Sequence, residues 1–64
     1  MRARKANVYH FNVRESGSRP WFLGSVTAMT RVGALHIAKL RWPQWARQLY
    51  VADVARNVRA LVGQ

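Results

Sequence analysis

The sequence predicts a small α+β fold: a three-stranded antiparallel sheet built in the order β-β-α-β, one helix on one sheet face, and a short C-terminal helix. Two runs of period-two alternation predict the first two strands. A run with helical spacing, closed by a proline, predicts the helix. The first strand is expected over residues 7–13, where Tyr9, Phe11 and Val13 alternate with Val8, His10 and Asn12. Polar residues 14–20, with Gly17 and Pro20, follow as a hairpin loop. In the second strand, residues 21–28, alternation sets Phe22, Gly24, Val26 and Ala28 against Trp21, Leu23, Ser25 and Thr27. The second set should lie on the sheet face that a single helix leaves open, which makes Trp21 and Leu23 exposed and in need of cover.

Thr30 has the side-chain oxygen of a helix N-cap. From Arg31 to Arg41, Ala34, Leu35, Ala38 and then Trp42 fall on one side, with His36 and Lys39 on another. Gly33 weakens this helix by up to about 1 kcal/mol relative to Ala. Gly33 and Gly24 are the two places where a missing side chain lets helix and sheet approach. Pro43 disfavours helical geometry at Trp42, so the helix should stop there. The last third reads two ways. A strand near 48–52, Asp53 as N-cap and a helix over 54–62 ended by Gly63 fit the spacing of Val54, Ala55, Val58, Leu61 and Val62. The rival is a strand running to Ala55 with a loose tail.

At 64 residues the chain has room for one domain, expected over 7–64 behind a flexible basic arm at 1–6. A core of this size is marginal on its own, and with no cysteine there is no disulfide to help. A partner is therefore expected, with a homodimer as the first candidate. Eleven Lys+Arg against two Asp+Glu give a formal charge of +9, and the excess runs through both halves. Self-repulsion on that scale is costly unless a polyanion is met. Nine of the eleven cations are Arg, whose forked guanidinium grips phosphate and stacks on bases, although a GC-rich coding sequence would also favour Arg.

Catalysis has little to work with. Glu15, Asp53, His10 and His36 are the only candidate acids and bases; a Ser-His-Asp set can be assembled from Ser25, His10 and Asp53, but any small protein contains such a trio, and no nucleophile elbow is present. The glycines match no phosphate or dinucleotide loop, and the two histidines lack metal-ligand spacing. No enzyme activity, cofactor or metal is expected. No run of 18 apolar residues occurs, no signal sequence follows Met1, and a cytoplasmic location without membrane contact is expected.

Arg2, Arg4 and Lys5 form a basic cluster, and basic and aromatic residues interleave at two further places: Arg14, Arg19 and Trp21; and Arg41 and Arg47 around Trp42 and Trp45, with Lys39 just before them. These cations are the expected nucleic-acid-binding residues, with Trp21 as a stacking platform, for DNA or RNA alike. Trp42 and Trp45 are better placed as core anchors of so small a domain. Size and basicity together are like those of small accessory proteins of phages and plasmids, a likeness of composition alone. The alternative is a protein-interaction module, such as a virus-encoded inhibitor or assembly factor, docking on an acidic partner surface.

Overall fold

The computed structural model describes the backbone of residues 3–61 and the side chains of residues 6–56. The elements run β1 (Ala3–Val13), β2 (Trp21–Ala28), α1 (Arg31–Arg41), a 3₁₀ turn (Pro43–Trp45) and β3 (Leu49–Leu61). The sheet order is β2-β1-β3, and both neighbouring pairs are antiparallel. β2 and β3 therefore point the same way, and α1 carries the chain past β1 from one edge to the other. This is the α+β fold expected from the periodicities. Among the described residues no helix is long and apolar enough to cross a membrane.

The hairpin loop closes through a turn in which the Ser18 N–H donates to the Glu15 carbonyl at 3.2 Å. Gly17 adopts φ 78°, a left-handed conformation that a side chain would strain. α1 has the expected boundaries. Thr30 Oγ1 accepts from the Gly33 N–H at 3.1 Å, and the helix stops at Arg41 before Trp42-Pro43. Lys39 and Arg41 occupy its last turn, where cations suit the helix dipole. Ala34 and Ala38, one turn apart, are fully buried on Tyr9, Phe11, Val26 and Leu49. Leu23, Leu35, Trp42, Val51 and Val54 pack around this centre. Complete burial of Phe11 and Val13 stabilises the fold by about 1.5–3 kcal/mol each. The buried Tyr9 hydroxyl accepts from Asn7 Nδ2 at 3.0 Å.

Gly24 does what was expected of it, and Gly33 does not. A Cβ at Gly24 would lie 2.5 Å from Trp42 Cζ2, so the indole rests directly on the strand backbone. A Cβ at Gly33 would meet Thr30 Oγ1 at 3.1 Å, so that glycine serves the helix cap rather than the sheet contact.

Three expectations need correction. The arm expected at 1–6 is strand from Ala3, paired with the end of β3. The helix expected over 54–62 is absent from the described part of that span. β3 runs unbroken to Leu61, while Val62 and Gly63 lie outside the described residues. Asp53 Oδ1 does accept a backbone hydrogen bond, from the Val54 N–H at 2.9 Å, but within a strand. The alternation of β2 also breaks. Phe11 pairs with Gly24 and Asn12 with Phe22, which leaves Leu23 as the extra residue of a bulge. The bulge exchanges the faces of the residues before it. Trp21 lies opposite buried Val13, Phe22 opposite Asn12, and Leu23 packs against the core.

Candidate nucleic-acid interface

Two sequence-distant basic and aromatic segments meet at the hairpin end of the sheet. Val13 pairs with Trp21 on one side and with Leu49 on the other, so the segments flanking β2 and β3 converge around the end of β1. The Arg14 N–H donates to the Gln48 carbonyl at 3.1 Å and fixes the start of the hairpin loop beside the start of β3. The Arg14 guanidinium carbon then lies 4.9 Å from the centroid of the Tyr50 ring, within cation–π range. Arg14, Arg47, Gln48, Leu49 and Tyr50 line one open depression of about 400 Å³. Two guanidinium groups at the wall of one depression suit a phosphate or another small anion.

At the same end of the sheet, with Trp21 on the face of Val13 rather than that of Tyr50, Trp21 and Trp45 meet edge to face, with centroids 5.3 Å apart and planes at 86°. The Trp21 indole N–H donates to Glu15 Oε2 at 2.8 Å, which holds the loop against the ring. Trp42 stands apart from this pair. It packs 6.4 Å from Phe11 on the core side, and the Arg41 guanidinium lies 5.6 Å above its ring. Arg41 Nη1 also donates weakly to the Ser25 carbonyl at 3.4 Å. Trp42 is thus the core anchor expected of it, whereas Trp45 sits half-buried at the hairpin end.

Of the expected binding residues, the structure gathers Arg14, Trp21 and Arg47 around the hairpin end, Arg19 lies exposed in the adjoining loop, and Arg41 stands apart over Trp42. Lys39 is exposed on α1 and lines no part of the depression. Arg4 and Lys5 occupy β1 at the opposite end of the sheet, and Arg2 lies outside the described residues. Tyr50 was missed because its place under Arg14 depends on the register of β3. An aromatic residue three positions after Arg47 was the only hint.

All seven described Lys and Arg side chains (Arg14, Arg19, Arg31, Lys39, Arg41, Arg47 and Arg56) are exposed. Neither carboxylate neutralises one of them. Glu15 bonds the Trp21 indole and Asp53 a backbone N–H, and no ion pair joins described residues. The formal net charge of +9 therefore stands on exposed cations that no described carboxylate contacts.

On the open face, Ser25, His10 and Asp53 stand in one row, because His10 pairs with Ser25 on β2 and with Asp53 on β3. His10 Nδ1 and Ser25 Oγ are 2.7 Å apart. The row lacks one link of a Ser-His-Asp relay. Asp53 spends Oδ1 on the Val54 N–H and makes no hydrogen bond to His10, so no carboxylate orients the imidazole. The chain matches no family model, no curated protein and no solved structure.

Proposed function

We propose that this chain is a small non-enzymatic nucleic-acid-binding protein, in keeping with an accessory factor working in the cytoplasm beside the nucleic acid it binds. The observation that carries the reading is the state of its charges: every described cation is exposed and none is paired with a carboxylate. Arg14 and Arg47 at one depression take phosphate oxygens, while Tyr50 and the Trp21–Trp45 pair offer faces and edges for bases. The test is binding of fluorescent oligonucleotides across a salt series. Affinity falls with a log–log slope of about −0.9 for each duplex phosphate neutralised. The double variant Arg14→Ala/Arg47→Ala flattens that slope by about two units. No detectable binding to any oligonucleotide at about 50 mM salt refutes the reading.

A second reading, docking on an acidic protein or on a second copy, draws on a different surface. Val32 and Leu40 are 78% and 70% exposed on the outward side of α1, eight residues apart with His36 between them. Large apolar side chains this exposed, flanked by Arg31 and Lys39, suit a partner carrying both apolar and acidic groups. The sheet face gives a homodimer less than expected, since the bulge turns Trp21 and Leu23 away from it and leaves Phe22, 60% exposed, in their place.

A further inference from the structure

The sheet face turned away from α1 carries rings that the hairpin depression uses only at its edge. Asn12 pairs with Phe22 on β2 and with Tyr50 on β3, so two rings flank its carboxamide in one row across the three strands. Residues two apart on a strand share a face, which places His10 in the next row. Its ring centroid lies 6.4 Å from that of Phe22, itself 60% exposed. The Arg14 guanidinium lies over Tyr50 and Arg47 lines the depression beside it, so cations border the Asn12 row at the hairpin end. Asp53 stands one row further from them, opposite His10. Neighbouring strands are about 4.8 Å apart, so Phe22 and Tyr50 rise from positions about 10 Å apart. Rings at that separation match bases that are splayed, not bases stacked at the rise of about 3.4 Å in a duplex strand.

We propose that this open face binds single-stranded nucleic acid, with one base stacked on Phe22, another on Tyr50, and the phosphates drawn to Arg14 and Arg47 at the hairpin edge. The proposal rests on the nucleic-acid reading and adds the form of the target and the surface that selects it. In a duplex each internal base is covered on both faces by its neighbours, whereas the bases of a single strand can be splayed onto aromatic side chains. Such stacking tolerates any sequence, because every base has a π-face, and the Asn12 carboxamide between the rings can meet base edges as donor and acceptor. A second copy suits the face less well. Phe22 is its exposed large apolar side chain, its neighbours His10, Asn12, Ser25 and Asp53 are polar, and a copy would bring its own Arg14 and Arg47 against these. The centre of a stable protein interface is apolar and depleted of charge.

The test is fluorescence anisotropy with the full chain, on one labelled DNA strand of mixed sequence and on the same strand annealed to its complement. Phe22→Ala is the diagnostic variant, since it removes an exposed ring with little effect on folding. Leu40→Ala, at an exposed apolar position on α1, is the comparison. We expect Phe22→Ala to lose affinity for the single strand on the order of tenfold and for the duplex by less than about twofold, and Leu40→Ala to lose neither. Phe22→Trp keeps the affinity. Phe22→Leu, which keeps apolar cover without a flat ring, serves if the Ala variant fails to fold. The single-strand salt slope stays unchanged in Phe22→Ala, because no phosphate contact is lost. Arg14→Ala/Arg47→Ala flattens it by about 1.4 units, about 0.7 for each contact. Full single-strand affinity without the ring, or equal losses on the two probes, overturns the face proposal and leaves the hairpin depression as the contact. A dimer in sedimentation that Phe22→Ala dissociates, with strand binding unchanged, overturns it in favour of a second copy. Absence of binding to both probes overturns the face proposal and the nucleic-acid reading together.

Discussion

Gly24→Ala isolates the contact that docks the end of the helix on the sheet. The added Cβ would stand 2.5 Å from Trp42 Cζ2 and 2.7 Å from Cη2, well inside van der Waals contact. The indole has little room to yield. It packs beside Phe11, carries Arg41 over its ring, and is followed by Pro43, which restricts the backbone at Trp42. Overpacking of this kind costs about 1–3 kcal/mol. Against it stands a gain of about 0.4–1 kcal/mol, because Ala narrows the unfolded ensemble relative to Gly. The net expectation is a loss of about 1–2 kcal/mol, or a fall in melting temperature of roughly 5–15 °C for a chain of this size. Thermal and urea unfolding followed by circular dichroism and Trp fluorescence measure it. The double variant Gly24→Ala/Trp42→Leu assigns the cause, because removing the ring removes the clash, and the two changes should be non-additive by at least about 0.5 kcal/mol. A Gly24→Ala variant as stable as the parent, or a double variant that is merely additive, refutes the close packing of indole on backbone.

Other expectations follow from single contacts. Gly17→Ala should cost about 1 kcal/mol through its positive φ alone, since nothing lies within 4 Å of the added Cβ, whereas Gly17→Asn should be nearly neutral by the same denaturation assay. Val54→Asp should cost at least about 2 kcal/mol if Val54 packs on the core from a strand, and a negligible change would dispute the course of β3. Tyr50→Ala should weaken oligonucleotide binding more than Tyr50→Phe, because the ring under Arg14 matters and the hydroxyl does not. Val32→Ser/Leu40→Ser should leave unfolding within about 0.5 kcal/mol of the parent and abolish any dimer seen by sedimentation if α1 carries the docking surface.

The elements that local chemistry defines were legible in the sequence. Thr30 caps, Pro43 stops, and the alanines between them face inward, so α1 appears with its expected limits. The hairpin was equally plain, since a Gly-containing polar loop separates two alternating runs. The end of the chain was not. Val54, Val58 and Leu61 satisfy a helical stripe, but Val54 also packs on the core from β3, and Ala6 offers Val58 a partner on β1. Which reading prevails depends on whether β1 extends far enough to supply the other side of a ladder. It does, from Ala3, and that start lies inside the stretch whose charges suggested an arm. Local pattern cannot weigh a strand against a helix when the deciding partner is more than fifty residues away.

The candidate site was half legible for a related reason. Residue type singled out Arg14, Arg19 and Arg47, and antiparallel pairing brought their segments together. Facing was another matter, because every inward or outward assignment on a strand assumes unbroken period two. One extra residue, Leu23, takes Trp21 off the open face and sets it against Trp45. The same residue puts Phe22 beside His10 on the open face. A second bulge, with Ala52 unopposed between Val51 and Asp53, brings Asp53 into line with His10 and Ser25. Two single-residue irregularities thus decide which aromatic ring serves the basic end and which polar groups share the open face. Bulges cost the ladder a pairing and increase local twist, and they are retained where a side chain must be re-aimed. Trp21 is the side chain re-aimed here, and the hairpin end is where it is delivered.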